Sequence, residues 1–233
     1  MKLNKYIDHT KLGANVTKDQ IDKLLSEAKT YDFKSVCVNP IWVSYAKDAL
    51  KNTDVLVCTV VGFPHGTHTA IVKTQETLDA VINGADEIDM VINVHALKSG
   101  NYDLILDEIE GVVVAASGRT VKVIIETCYL TKEEIVKASN LVVEAGAQFV
   151  KTSTGFGTGG ANVEDVKLMK DTVKENALVK ASGGVRTYED AMKMIDAGAS
   201  RIGTSNGVDI VMKKENKNDT NTTYWVKRQK FNC

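Results

Sequence analysis

Three segments of this chain repeat one pattern, in which the end of a helix is followed by a Gly-Ala turn and then by a strand. The segments are Ile82–Asp89, Val143–Lys151 and Ile195–Gly203. Glycine often ends a helix because it adopts the left-handed conformation at little cost. Repetition of such a unit is typical of a repeated α/β architecture. The pattern therefore predicts that equivalent positions of different strands lie on one face of a sheet.

The repeated unit also aligns charged residues. Counting five residues on from each turn glycine gives Asp89, Lys151 and Gly203, and a second lysine, Lys180, lies in another strand-like stretch downstream. Burial of charged groups costs free energy unless they are paired or take part in chemistry. Lys151, Lys180 and Asp89 are therefore the candidate catalytic residues.

Eight short apolar stretches are predicted to be strands, and helical patterns lie between them. The predicted strands are Tyr6–Asp8, Ser35–Asn39, Val55–Val61, Glu87–Asn93, Val121–Thr127, Phe149–Thr154, Val179–Gly183 and Arg201–Ser205. Several are almost continuously apolar, as in parallel strands that are buried on both faces. Strand–helix alternation over a chain of 233 residues predicts a single (β/α)8 barrel, with an open doubly wound sheet as the alternative.

Helix starts carry recognisable capping residues. The segments Thr17–Gln20 and Thr131–Glu134 have the form of a capping box, and Asn162 and Thr187 are predicted N-caps followed by acidic residues. Pro40 fits the first turn of a helix after the second strand.

The last part of the chain differs from the rest. Residues 1–212 are predicted to form the barrel, and residues 213–233 are rich in Lys, Asn and Thr, which predicts a disordered tail. No signal peptide and no apolar run of membrane-spanning length is visible, so a cytoplasmic location is expected. A net charge of −1 with interleaved signs argues against a nucleic-acid partner.

Two further motifs give only weak indications of a metal site and of a dinucleotide-binding site. His65 and His68 lie in a Gly/Pro-rich loop without an identifiable carboxylate partner, and the four cysteines lack metal-type spacing, so no metal is expected. The segment Gly155–Gly160 matches a dinucleotide-binding pattern. The preceding strand, however, ends in Lys-Thr-Ser-Thr, and the following strand ends near Lys180 rather than at an acidic residue, which disfavours that interpretation.

Lys151 lies where the sixth strand meets a loop of small polar residues, at the strand end where barrels of this type place their active sites. The alternative is a solvated lysine at a frayed strand end. An inward lysine beside a second cation loses proton affinity, and a neutral amine can attack a carbonyl group to form a Schiff base. Asp89 could move a proton or act only as an ion-pair partner of the lysines; the sequence leaves both roles open.

Glycines follow the seventh and eighth strands. Gly183 and Gly184 come first, with Arg186 close behind, and the segment Gly203–Gly207 follows the eighth strand. Barrels frequently bind phosphate with backbone N–H groups of these two loops. The pattern predicts a phosphate site, with ordinary turn glycines as the alternative.

Taken together, these segments resemble the 2-deoxyribose-5-phosphate aldolases, a family of class I, Schiff-base aldolases. The matching segments, in family order, are Ile7–Lys11, Ser35–Pro40, Val61–Gly66, Glu87–Asn93, Val123–Thr127, Lys151–Phe156, Lys180–Arg186 and Gly203–Ser205. The resemblance implies a TIM barrel that cleaves 2-deoxy-D-ribose 5-phosphate to D-glyceraldehyde 3-phosphate and acetaldehyde, without a cofactor. A small sugar phosphate is the implied partner, and a homodimer is left open.

The resemblance also implies residue roles. Lys151 corresponds to the Schiff-base lysine, Lys180 to the residue that tunes it, and Asp89 to the proton donor and acceptor. Residues that match or lie beside the family's substrate and phosphate positions are Asp8, Thr10, Thr152, Gly155, Gly183, Gly184, Arg186, Gly203, Ser205 and Asn206.

The chain departs from the family pattern at two places. Asn206 stands where a second serine is common, and Tyr224 is followed by nine further residues although the family often ends in a functional tyrosine. The alternatives are a Schiff-base aldolase or transaldolase for another sugar phosphate, and a non-catalytic sugar-phosphate-binding barrel.

Overall fold

Eight parallel strands form the centre of the computed structural model, which describes residues 2–213. The strands are β1 Ile7–Lys11, β2 Ser35–Val38, β3 Leu56–Val61, β4 Glu87–Val91, β5 Thr120–Ile124, β6 Phe149–Lys151, β7 Leu178–Ser182 and β8 Arg201–Thr204. They follow one another in chain order around a closed barrel, and β8 pairs in parallel with β1. Closure confirms the predicted (β/α)8 barrel and excludes the open sheet.

Helices connect the strands on the outside of the barrel. They are α1 Lys18–Thr30, α2 Val43–Ala49, α3 Ala70–Ile82, α4 Val94–Lys98, α5 Tyr102–Ala115, α6 Lys132–Glu144, α7 Val163–Val173 and α8 Tyr188–Asp196. The capping boxes at Thr17 and Thr131 are confirmed, and Asn162 and Thr187 accept the predicted N-cap hydrogen bonds. Pro40 begins a short 3-10 turn directly before α2. These caps fix where each helix leaves its loop.

The strands separate two kinds of interior. Alternate strand residues such as Ile88, Val150 and Val179 are fully buried in the main hydrophobic cluster with the surrounding helices. The intervening residues include buried charged side chains, such as Asp89 and Lys180. Because successive side chains of a strand point to opposite faces, the apolar layer surrounds a polar barrel interior.

Two further sequence predictions concern membrane-spanning segments and the C-terminal tail. No helix within residues 2–213 is long and apolar enough to cross a membrane. The predicted polar tail, with Tyr224, falls almost wholly on residues 214–233, which lie outside the described part of the chain.

A buried ion pair joins α3 to α5. The Nζ atom of Lys73 lies 2.6 Å from Oε2 of Glu108, and the two side chains are 0% and 1% exposed. Glu108 also accepts a hydrogen bond from the Asn93 backbone N–H at 2.7 Å, at the end of β4. Burial lowers the pKa of Lys73 and raises the pKa of Glu108, although each partner opposes the shift of the other. The pair ties two helices to the loop that follows β4.

We expect Lys73→Met to lower the free energy of unfolding by about 3–5 kcal/mol, because it leaves a buried carboxylate without its cation. Without the ammonium group the pKa of Glu108 rises further, so the folded variant binds a proton that the unfolded chain releases. Stability should therefore fall as the pH rises, and the loss should be larger at pH 8 than at pH 5. Urea unfolding at both pH values measures it.

The double variant Lys73→Met/Glu108→Gln is the control. It removes both charges but keeps an oxygen acceptor for the Asn93 N–H. It should therefore recover most of the lost stability, and the extra pH dependence of Lys73→Met should disappear. A double variant as unstable as the single one would mean that packing of the lysine chain, and not charge pairing, sets the effect.

Candidate active site

The carboxylate of Asp89 on β4 gathers the polar interior of the barrel. Its Oδ1 accepts hydrogen bonds from Lys122 Nζ at 2.9 Å and from Cys58 Sγ at 3.2 Å. Its Oδ2 accepts hydrogen bonds from Lys151 Nζ and Lys180 Nζ, each at 2.7 Å. One buried carboxylate oxygen is thus shared by the two lysines that the sequence singled out.

The strand register brings these groups together. Lys151 ends β6 and is the Cα partner of Lys180 on β7. Asp89 on β4 is in turn the Cα partner of Lys122 on β5. Long lysine side chains then reach across the barrel to the carboxylate. The prediction that Asp89 and Lys151 point to the same interior is confirmed by their direct contact.

Two further carboxylates, those of Asp8 and Glu87, extend the network beyond Lys180. The Lys180 ammonium also contacts Asp8 Oδ2 at 2.6 Å. Arg201 contacts Asp8 and lies 2.7 Å from Glu87 Oε2. Lys122 lies 2.7 Å from the same Glu87 oxygen.

The network contains more cations than anions. Its cationic residues are Lys122, Lys151, Lys180 and Arg201, and its acidic residues are Asp8, Glu87 and Asp89. Four cations face three carboxylates, so one side chain can lose its proton and leave the remaining charges balanced. Lys151 has one carboxylate partner whereas Lys180 and Lys122 each have two, so Lys151 is the lysine of the network with the fewest ion pairs.

The surroundings fix the charge of the other members. Burial alone would raise the pKa of Asp89, but the ammonium groups of Lys122, Lys151 and Lys180 hold it well below its ordinary value. Burial alone would lower the pKa of Lys180, but Asp8 and Asp89 raise it above its ordinary value. Near neutral pH, Asp89 is therefore a carboxylate and Lys180 is an ammonium group.

A cavity of about 520 Å³ opens above this network at the carboxyl ends of the strands. Lys151 lines it, but Asp89 and Lys180, both fully buried, do not. The predicted substrate and phosphate residues that line it are Thr10, Gly155, Gly183, Gly184, Arg186, Gly203, Ser205 and Asn206. Lys151 is thus the lysine of the network that a ligand in this cavity can reach.

Two predicted substrate residues lie elsewhere. Asp8 is fully buried in the ion network beneath the cavity. Thr152 is also fully buried, and its hydroxyl exchanges hydrogen bonds with the backbone of Ser182, one in each direction at 3.1 Å. Thr152 therefore joins β6 to β7, and the Asp8 side chain contacts Lys180 and Arg201 beneath the cavity.

The glycines that follow β6 and β7 allow two loops to meet. Gly183 and Gly184 have φ angles of 84° and 82°, in the left-handed region that favours glycine. A Cβ atom on Gly160 would lie 2.2 Å from the Gly183 carbonyl oxygen. The glycines of the dinucleotide-like segment therefore serve close loop packing beside the cavity.

Sequence reasoning missed Lys122, Glu87, Arg201 and Cys58. A signal was present, because Glu87 lies two residues before Asp89 and so shares its face of β4. The same spacing applies to the two other cations. Lys122 lies two residues before Ile124, the Cα partner of Lys151, and Arg201 lies two residues before Gly203.

The described residues offer one group of three close metal ligands, Cys37, Cys58 and Asp89. Both Asp89 oxygens already accept hydrogen bonds from lysine ammonium groups. A divalent cation there would face these ammonium groups, so the group does not fit a metal centre.

Comparison with known proteins identifies the family of the chain. Residues 2–213 match the DeoC/LacD family of aldolases. A deoxyribose-phosphate aldolase of Streptococcus suis (strain 98HAH33) is 62% identical over 211 residues, which are 91% of this chain and 96% of that protein. One from Staphylococcus epidermidis (strain RP62A) is 61% identical over 219 residues, covering 94% of this chain and 100% of that protein. The solved tetrameric deoxyribose phosphate aldolase of Aeropyrum pernix is 32% identical, with a TM-score of 0.85 over 91% of both chains.

Proposed function

The chain belongs to the DeoC/LacD family of aldolases, and we propose that it reversibly cleaves 2-deoxy-D-ribose 5-phosphate to D-glyceraldehyde 3-phosphate and acetaldehyde. The observation that carries the proposal is Lys151, which ends β6, shares a carboxylate oxygen with Lys180 and opens into a cavity bordered by glycine loops. The relatives named deoxyribose-phosphate aldolase, which align with more than nine-tenths of the chain, support the same reaction.

The reaction begins when the neutral amine of Lys151 attacks the aldehyde carbon of the open-chain sugar. Loss of water gives an iminium ion, which accepts the electrons of the breaking C–C bond while the hydroxyl proton of the departing aldehyde is removed. The resulting enamine is protonated at carbon, and water then hydrolyses the iminium ion to release acetaldehyde and the free amine.

Asp89 and Lys180 have different roles in proton transfer. Asp89 remains ionised because the surrounding ammonium groups lower its pKa, so it serves as the counter-ion of the cationic intermediate. Its Oδ2 accepts hydrogen bonds from both Lys151 and Lys180, which allows this oxygen to relay a proton between them. Lys180 contacts the same oxygen as Lys151, and its ammonium group serves as the proton donor. Its contact with Asp8 holds that ammonium in position.

The substrate phosphate lies in the part of the cavity bordered by the loops after β7 and β8. Gly183 and Gly184 allow close backbone approach, and Ser205 and Asn206 offer hydrogen-bond donors from the other loop. Asn206 takes the place of a common serine. Its backbone N–H donates a hydrogen bond to the Thr204 hydroxyl at 2.9 Å, so its side-chain amide is the group that it offers to the phosphate. Arg186 supplies a positive charge at the rim.

The test is a coupled assay for D-glyceraldehyde 3-phosphate formed from 2-deoxy-D-ribose 5-phosphate. We expect turnover that is unchanged by EDTA. Absence of turnover with this substrate but activity with another sugar phosphate would favour a different Schiff-base aldolase or a transaldolase. Binding without turnover would favour the non-catalytic barrel, and a loss of activity that added metal restores would contradict the Schiff-base mechanism.

Three further proposals accompany this function. Residues 1–212 form the aldolase domain. The protein acts in the cytoplasm in deoxyribonucleoside catabolism, which agrees with the free thiols of Cys37, Cys58 and Cys128. The chain forms a homodimer, which the strong exposure of apolar residues such as Ile41 and Ile82 supports. Light scattering at assay concentration tests the assembly, and a monomer would contradict it.

A further inference from the structure

The charged residues that line the cavity are all cationic. They are Lys11, Lys151 and Arg186, and the lining contains no Asp or Glu. Lys151 has a carboxylate partner in Asp89 and is consumed in the proposed covalent step. Two positive charges therefore remain for the bound substrate. A phosphate monoester carries a charge of about −1.5 to −2 near neutral pH, so one arginine leaves a good part of that charge without a partner.

Lys11 lies beside the phosphate loops because of the strand register. In the β1–β8 ladder, Asp8 is the Cα partner of Gly203 and His9 is the partner of Thr204. Lys11, the last residue of β1, lies two residues beyond His9, and Asn206 lies two residues beyond Thr204 in the loop after β8. Lys11 and Asn206 both line the cavity.

The Lys11 ammonium group is available for a ligand. It makes no hydrogen bond or ion pair with any residue of the 2–213 range, and its side chain is only partly exposed. Two carboxylates line a neighbouring cavity together with Lys11, and both have other partners. Glu27 Oε2 lies 2.7 Å from His9 Nε2, and Asp209 Oδ2 accepts a hydrogen bond from Asn206 at 3.3 Å.

We propose that Lys11 is a specificity-determining residue that binds the substrate phosphate together with Arg186. The inference rests on the proposed function, because that function supplies a substrate whose phosphate lies between the loops after β7 and β8. Lys11 does not touch the reacting carbon. Its removal therefore acts on recognition of the phosphate and leaves the Schiff-base step intact.

The test compares two substrates, 2-deoxy-D-ribose 5-phosphate and 2-deoxy-D-ribose. For Lys11→Met we expect KM for the phosphorylated sugar to rise about 10- to 100-fold, as for a lost hydrogen bond to a charged group. Its kcat should change little, and kcat/KM for the unphosphorylated sugar should change less than about twofold, since that sugar has no phosphate to lose contact with. Lys11→Arg, which keeps the charge, should restore most of the affinity.

Lys29→Met is the matched control, because Lys29 is an exposed lysine in the last turn of α1. It should match the wild type with both substrates. Equal losses with both sugars in Lys11→Met, or no loss with either, would overturn the proposal.

A separate measurement tells this inference apart from failure of the proposed function. Inorganic phosphate should raise the melting temperature of the wild-type protein and of Lys29→Met, and should raise that of Lys11→Met much less. If the wild type does not cleave 2-deoxy-D-ribose 5-phosphate but shows this pattern, the proposed reaction fails and the anion site stands. An equal phosphate effect in all three proteins overturns the role of Lys11.

Discussion

Lys151→Ala is expected to reduce turnover of 2-deoxy-D-ribose 5-phosphate to the background rate, because no other amine of the ion network reaches the cavity. Without the covalent electron sink, the charge left by C–C cleavage has nowhere to go. The variant should keep a melting temperature within a few degrees of the wild type. Loss of the Lys151 ammonium group leaves three cations facing three carboxylates, and Asp89 keeps its contacts with Lys122 and Lys180.

Borohydride reduction in the presence of acetaldehyde identifies the reacting residue. It should fix a two-carbon adduct on Lys151 of the wild-type protein and of Lys29→Ala, and none on Lys151→Ala. Peptide mapping by mass spectrometry measures it. An adduct on Lys180, or full activity in Lys151→Ala, would contradict the assigned nucleophile.

The repeated αβ units made the barrel predictable from sequence. Each predicted strand overlaps the observed one, because almost continuous apolar runs and capped helix starts reflect local structure directly. Barrel closure itself followed only from the count of units, since no short pattern records the pairing of β1 with β8.

The predicted strands β5 and β6 were too long for a physical reason. The polar residues at their ends bind each other and turn the chain out of the sheet. Glu126 has a φ angle of 54°, and its carboxylate accepts hydrogen bonds from the Thr154 backbone N–H and hydroxyl groups. The sequence analysis included Glu126 and Thr154 in the predicted strands, and only their contact across the loops shows that the strands end before them.

The contact between Lys151 and Asp89 was predictable from the sequence, but the ion pairs around it were not identified. Lys151 and Asp89 stood out because the repeated unit aligned them. Lys122 and Arg201 were read as ordinary members of apolar strands, although they complete the charge balance on Asp89, Asp8 and Glu87. The tilt of the strands and the reach of each side chain across the barrel decide which carboxylate a cation contacts. The local sequence does not predict this geometry.

Asp89→Asn is expected to lower both stability and turnover, and Glu87→Gln separates the two effects. Glu87 is the matched control because it lies two residues earlier on β4 and is likewise buried among cations, yet it contacts Lys122 and Arg201 and not Lys151. Each variant leaves four cations facing two carboxylates. Each should therefore lose about 3–5 kcal/mol of unfolding free energy, as when one partner of a buried ion pair is removed.

The pH dependence of that loss follows from the lowered pKa of Asp89. A carboxylate whose folded pKa is depressed stabilises the protein above its unfolded pKa, about 3.9, and this contribution is lost as the pH falls toward the folded value. The stability difference between wild type and Asp89→Asn should thus be constant from pH 7 to about pH 5 and narrow below pH 4. Denaturant unfolding across this range measures it, and a difference that already narrows near pH 6 would mean that Asp89 is not held as a carboxylate.

Turnover distinguishes a chemical role for Asp89 from a purely structural one. Asp89→Asn should lose about 10²- to 10⁴-fold in kcat, the usual contribution of a general acid or base. Glu87→Gln should stay within about tenfold of the wild type, since the oxygen shared by Lys151 and Lys180 is untouched. Equal losses of kcat at equal stability in the two variants would show that Asp89 serves only to balance the lysine charges. A selective loss in Asp89→Asn shows that its shared oxygen takes part in the proton transfers of the reaction.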